Sequence, residues 1–199
     1  MVDAAYDSLT DIPSHSADEQ MEALRVPPHS VQAEQAVLGG LMLDNASWDK
    51  IADLITEQDF YRREHQLIFA AIASLAENDQ PLDLVTVNDE LVRLDTSDEV
   101  GGLAYLGMLA NETPTAANIK AYAAIVREQS VVRQLIRVGN QVDESGYQPK
   151  GRKVHELLDY AENLVFQIAE QKARGGGGFR SISRLLTETI NRIEELYGS

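Results

Sequence analysis

NIKAYAAIVREQSVVRQLIRVGNQVDESG at 118–146 and VHELLDYAENLVFQIAEQK at 154–172 are the two segments on which the fold turns. In the first, Ile119, Tyr122, Ile125, Val132, Leu135, Ile136 and Val142 recur at helical spacing. A continuous helix of this extent is about 40 Å long, and Gly146 is placed to end it as a left-handed cap. After the turn Tyr147-Gln148-Pro149-Lys150-Gly151, the second segment sets Leu157, Leu158, Ala161, Leu164, Val165 and Ile168 on one stripe. The mixed spacing of three and four predicts an antiparallel hairpin. Two helices alone cover only one flank of each stripe, so the hairpin needs a second copy of itself or part of another unit. That favours an oligomer.

Upstream, every periodic segment reads as a short helix, and no stretch alternates as a half-buried strand would. Ser30, after Pro27-Pro28, caps a helix with Ala33, Val37, Leu38, Leu41 and Met42 on its apolar side. Gly39-Gly40 in its interior cost about 2 kcal/mol of helix propensity, which a close helix crossing must offset. Asn45 is placed to cap a second helix carrying Trp48, Ile51, Ala52 and Ile55. A third runs from about Glu64 to Glu77 and buries Leu67, Ile68, Ala71, Ile72 and Leu75, ending at Asn78-Asp79-Gln80-Pro81. A fourth starts near Thr86, with Asp89 as its capping-box partner, and buries Val87, Leu91 and Leu94. Gly101-Gly102 introduces a fifth with Leu103, Leu106 and Leu109, and Tyr105 beside them. Short connections make these five a compact head.

Downstream, Gly175 to Gly178 interrupt the chain. Four glycines end any helix and leave a swivel. Beyond them Ile182, Leu185, Leu186, Ile190, Ile193 and Leu196 form one amphipathic face, on a helix of about 17 residues that is marginal in water without a surface to lie on. The expected organisation is all-α: a disordered acidic tail at 1–25, a five-helix head at 26–115, a helical hairpin at 116–172, a glycine-rich hinge at 173–181 and a separate docking helix at 182–199.

Composition sets limits on function. With no cysteine among 199 residues, disulfides, thiolate metal sites and cysteine nucleophiles are excluded. No apolar run approaches the roughly 18 residues a membrane span needs, and the acidic N-terminus lacks the bases and hydrophobic centre of a signal peptide. A cytoplasmic location is expected. Residues 1–100 carry net charge −16 and residues 101–199 carry +1, so the front half repels phosphate and is a poor grip for DNA. Arg127, Arg133, Arg137 and Lys153 are the positions from which a DNA contact could still come, although scattered arginines on a hairpin usually form a solvated face. His155-Glu156-Leu157-Leu158-Asp159 lacks the second histidine of a zincin, and His15, His29 and His65 are widely separated. No nucleophile elbow or phosphate loop is present. The residues describe a docking module with no catalytic site, metal or cofactor of its own.

VPPHSVQAEQAVLGGLMLDN at 26–45, DFY at 59–61, PLDLVT at 81–86, VGG at 100–102 and TPTAANIKAYAAIVRE at 113–128 resemble, in order, the N-terminal region of bacterial replicative DNA helicases of the DnaB family. The resemblance implies an assembly and primase-docking domain of a hexameric helicase that unwinds duplex DNA at the replication fork and couples unwinding to primer synthesis. The family's RecA-like ATPase, with its ATP and Mg, would follow Ser199. It also implies hairpins that dimerise, three dimers forming a hexameric collar, primase bound to that collar through its C-terminal domain, and both the loader and DNA engaged mainly through the motor domain. Tyr105, Leu135, Ile136, Val142 and Leu157 are the candidates for the subunit or primase interface. The docking helix, with Ile182, Leu185, Leu186, Ile190, Ile193 and Leu196, would lie on a neighbouring motor. The alternative is a free-standing helical adaptor or small-ligand regulatory domain that acts without a motor.

Overall fold

A computed structural model of the protein describes residues 26–113 and 115–175, the last five through their backbone only. The acidic tail, most of the hinge and the docking helix with Ile182, Leu185, Leu186, Ile190, Ile193 and Leu196 lie outside the described residues.

Among the described residues, secondary structure begins where the Ser30 hydroxyl accepts from the Ala33 amide at 3.3 Å, opening α1 (Val31–Leu43). Val37, Leu38 and Leu41 on this helix are fully enclosed. The diglycine works as its position requires. A Cβ on Gly39 would overlap both the Thr113 hydroxyl and the Leu109 carbonyl, and one on Gly40 would stand 3.3 Å from Ile119 Cδ1. At Gly39 only hydrogen lets α1 lie this close to the helix that carries Leu109, and at Gly40 a side chain would require Ile119 to shift.

The segment after α1 departs from expectation. Asn45–Lys50 is a 3-10 helix, and its cap is Asp44, whose carboxylate accepts from the Ala46 amide at 3.1 Å and the Ser47 hydroxyl at 2.7 Å. Asp44 sits one residue earlier than the expected Asn45 and, with Lys50 Nζ also donating to it at 3.4 Å, ties down three points within six residues, which suits the tighter helix better than a long α-helix. Ile51 and Ile55 are nonetheless buried as their spacing indicates. The chain then makes a single 3-10 turn, Glu57–Asp59, and enters α2 (Arg63–Glu77), which buries His65, Ile68, Phe69, Ala71, Ile72 and Leu75 while Leu67 is only half-buried. Phe69 packs against Phe60 and Trp48, with centroid separations of 4.9 and 5.6 Å.

Next comes α3 (Leu84–Arg93), capped by Asp83 rather than Thr86. The Asp83 carboxylate accepts from the amides of Val85 and Thr86, and the Thr86 hydroxyl is turned back to donate to the Pro81 carbonyl. With the helix starting two residues sooner, Leu94 falls outside it and is exposed. A one-turn helix, α4 (Ser97–Val100), was not legible in the acidic run Asp95–Glu99. Gly101, at φ +90°, then turns the chain into α5 (Gly102–Glu112), which buries Leu106 and Leu109 and leaves Leu103 exposed. Among the described residues all regular structure is helical.

The long helix α6 (Ile119–Tyr147) serves two environments. Its first turns carry Ile119, Ala123, Val126 and Ser130 into the head. Past Ser130 it stays tied to the edge of the head through Arg133 and then runs on beside α7 (Val154–Gly175), which packs back along it. Ile168 of α7 is buried where the hairpin meets the head. Gly146 is not a left-handed cap: it remains helical, and α6 ends when the Gln148 amide donates to the Glu144 carbonyl at 2.8 Å. The left-handed residues are Lys150 and Gly151 in the turn. Helix α7 also continues past Lys172 to Gly175, into the first part of the expected hinge.

Candidate functional site

The root of the arm is held by charged side chains that lie far apart in the sequence. Asp59, almost fully enclosed, accepts from the Thr56 amide at 2.8 Å through one oxygen and from Arg127 Nη1 at 2.7 Å through the other. Two helical turns on, Arg133 Nη1 donates to the Pro28 carbonyl at 2.8 Å and Nη2 to the Asp59 carbonyl at 2.5 Å. Its guanidinium lies 5.7 Å from the centroid of Tyr61, which also stacks with the His29 ring at 4.1 Å. Burial pushes the Arg133 guanidinium below its usual range, with nearby Glu34 and Asp59 pulling the other way. Arg127 and Arg133 are thus structural clamps that join α6 to the head, where a solvated face was expected.

Behind this joint lies a second buried set. Glu34 accepts from the Tyr61 amide at 2.7 Å and pairs with His65 Nδ1 at 2.6 Å, while His65 Nε2 meets the Tyr105 hydroxyl at 2.7 Å. Glu34 and His65 are closed to solvent. His65 therefore has no access to a substrate, and what it does is fix the mutual positions of α1, α2 and α5. Tyr105, an expected interface residue, directs its hydroxyl into this set. Periodicity could not find Glu34 or His65, because a polar residue on an apolar face carries no mark of its distant partner.

The outer flank of the arm is apolar and open. On α6, Val132, Leu135 and Ile136 are 42%, 48% and 48% exposed; on α7, Leu158, Val165 and Phe166 are 60%, 52% and 60% exposed. Of the expected interface residues, Leu135 and Ile136 stand on this flank. Val142 and Leu157 are half-buried on the hairpin itself. Among the described residues no cluster of three or more His, Asp or Glu side chains is arranged to hold a metal ion. Among the described residues the exposed apolar side chains of the arm are the surface best suited to contact with another polypeptide.

Comparison with known proteins agrees with this description. The sequence model of the DnaB-like helicase N-terminal domain matches residues 26–128. The replicative DNA helicase DnaB of Haemophilus influenzae is 46% identical over 181 residues, an alignment covering 91% of this chain and 39% of that protein. The chain therefore spans about two fifths of the length of that relative. The crystal structure of the N-terminal domain of DnaB helicase from Mycobacterium tuberculosis superposes with a TM-score of 0.69 at 37% identity, covering 71% of this chain and 99% of that one. The N-terminal domain of DnaB helicase from Helicobacter pylori, described together with its interactions with primase, shares the fold with a TM-score of 0.50 at 20% identity, over 69% of this chain and 100% of that one.

Proposed function

Because the chain belongs to the DnaB-like helicase family through its N-terminal domain, we propose that it is the assembly and primase-docking portion of a hexameric replicative helicase. The open apolar flank of the arm carries this reading. Fully burying a Val, Leu, Ile or Phe side chain is worth about 1.5–3 kcal/mol, and six such side chains here are roughly half exposed. Pairing two arms through this flank therefore gains on the order of 1 kcal/mol per side chain on each arm. That scale is comparable with the ordering cost of association, so the domain would associate as dimers and, through further contacts of the heads, as a trimer of dimers.

In this reading the collar receives the C-terminal domain of primase, a role supported by the primase interactions described for the Helicobacter relative. ATP and Mg would be bound by the motor domain of that helicase, outside this portion. DNA and the loader are engaged there, and residues 182–197 dock on a neighbouring motor. The acidic head and the inward commitment of Arg127 and Arg133 leave this part of the protein with little cationic surface for DNA.

The test is Ile136→Asp, with Leu158→Asp as a second variant, each followed by light scattering and by calorimetric titration with the primase C-terminal domain. Both side chains are solvent-facing in the single chain, so helix content and head stability should be retained while mass falls toward the monomer and primase affinity drops at least tenfold. Full-size assemblies that bind primase as the parent does would refute the proposal.

A further inference from the structure

Two clefts flank the root of the arm and share the side chains of Gln58, Arg133 and Arg137. The larger, about 590 Å³, has Val26, Pro27, Phe60, Tyr61 and Ile136 on its apolar walls, with the two arginines and Asn140 along α6. Its electrostatics are unusual for this protein. Arg133 spends its hydrogen bonds on two backbone carbonyls, and the two carboxylates that act on it are already engaged, Glu34 by the Tyr61 amide and His65 and Asp59 by Arg127 and Thr56. Arg137, one helical turn on, adds a second positive charge that repels the first. Among the described residues neither arginine has an ion-pair partner. A partly desolvated guanidinium beside a like charge is a site that an anionic group would stabilise.

The segment that leads into the cleft is net anionic, with Arg25 its one base. Val26 is itself a lining residue of the cleft, and the 25 residues before it carry six acids and one base, net −5, with Asp18, Glu19 and Glu22 closest to the cleft in sequence and Met21 and Leu24 between and beside them. Glu22 is four residues from Val26, a reach of up to about 14 Å. We infer that this cleft is a docking site for the chain's own acidic N-terminal segment, with carboxylates of residues 18–22 on Arg133 and Arg137 and the apolar side chains of Met21 and Leu24 against Tyr61 and Ile136. Tethering supplies a high effective concentration, so even a weak pairing is populated. When docked, the segment covers Ile136 at one edge of the open flank. A partner reaching that edge must displace it, which makes the tail a competitor for the same surface.

The absence of native cysteine permits clean placement of two spin labels, at Ser16→Cys and Glu144→Cys, in the full chain. Pulsed electron–electron distance measurement is made with labelled chain diluted in a large excess of unlabelled chain, so that only distances within one molecule contribute. The expected result is one narrow distance peak that broadens on Arg137→Glu, broadens on Glu19→Lys/Glu22→Lys, and narrows again when the reversals are combined. Circular dichroism confirms that the charge variants keep their helix content, and Arg137→Glu is used because Arg133 also holds the joint together. A broad distribution in the parent, or a narrow peak indifferent to both reversals, would overturn the inference. So would a peak that vanishes on dilution, which would assign the cleft to the tail of a second copy.

Discussion

Replacing Gly39 and Gly146 by alanine separates two glycines that a helix-propensity scale treats alike. Both lie within helices, α1 and α6, and on propensity alone each substitution gains about 1 kcal/mol. At Gly146 nothing lies within 4 Å of an added Cβ and the backbone is helical, so the gain of roughly 0.5–1 kcal/mol should be realised. At Gly39 the added carbon meets the Leu109 carbonyl and the Thr113 hydroxyl, which itself donates to that carbonyl at 2.8 Å. A carbonyl within a helix cannot swing aside as a flexible side chain can. Relief requires α1 and α5 to separate, at an overpacking cost of about 1–3 kcal/mol, plus about 1 kcal/mol if the Thr113 bond breaks. After the propensity gain, Gly39→Ala should destabilise by about 2 kcal/mol. Urea unfolding followed by circular dichroism, at one fixed chain concentration because association adds to apparent stability, reads both effects. A neutral or stabilising Gly39→Ala would refute the close crossing. A destabilising Gly146→Ala would restore the left-handed cap that the sequence suggests.

Glu34→Ala strands His65 and the Tyr61 amide in a closed interior, and the loss should be about 3 kcal/mol in the same urea assay; a change under about 1 kcal/mol would show that the set does not hold the head together. Asp59→Ala should raise hydrogen-exchange rates in α6 around Arg127 and Arg133 more than in α2, because it releases the clamp of the arm. Glu90, held to about 2 from an ordinary 4.5 by Arg93 and then by Ser74, contributes stability that is complete above about pH 4.5 and disappears as pH falls through about 2. Glu90→Gln should therefore flatten the stability profile in that window, modestly, since Arg93 is largely solvated.

Several of these effects could be anticipated from local order. The apolar spacing in 118–146 and 154–172 gave the two arm helices. Ser30 marked the start of α1, and Gly39-Gly40 announced a crossing because two costly glycines in a helix need a compensating contact. Local rules were less reliable at helix ends. Asp44 and Asp83 took the caps assigned to Asn45 and Thr86, since neighbouring residues of similar chemistry compete for the same amides and their small energy differences are settled by how the next helix packs. Leu94 and Leu103 fit the helical stripe yet lie in the open, because spacing identifies a face and cannot say how far the neighbouring helix extends over it.

The sequence by itself determined that this protein is helical, that it carries a long hairpin with more apolar surface than it can cover, and which family it resembles; each of these depends on residues within a few turns of one another or on motifs in linear order. Only the tertiary structure decided that the first turns of α6 belong to the head, that Arg127 and Arg133 are clamps, and that Glu34, His65 and Tyr105 form one enclosed set. Those pairings join residues 31 to 105 positions apart. Their energy comes from desolvation and geometry that exist only after the chain has closed on itself, and an isolated charge in a sequence gives no sign of the partner it will meet.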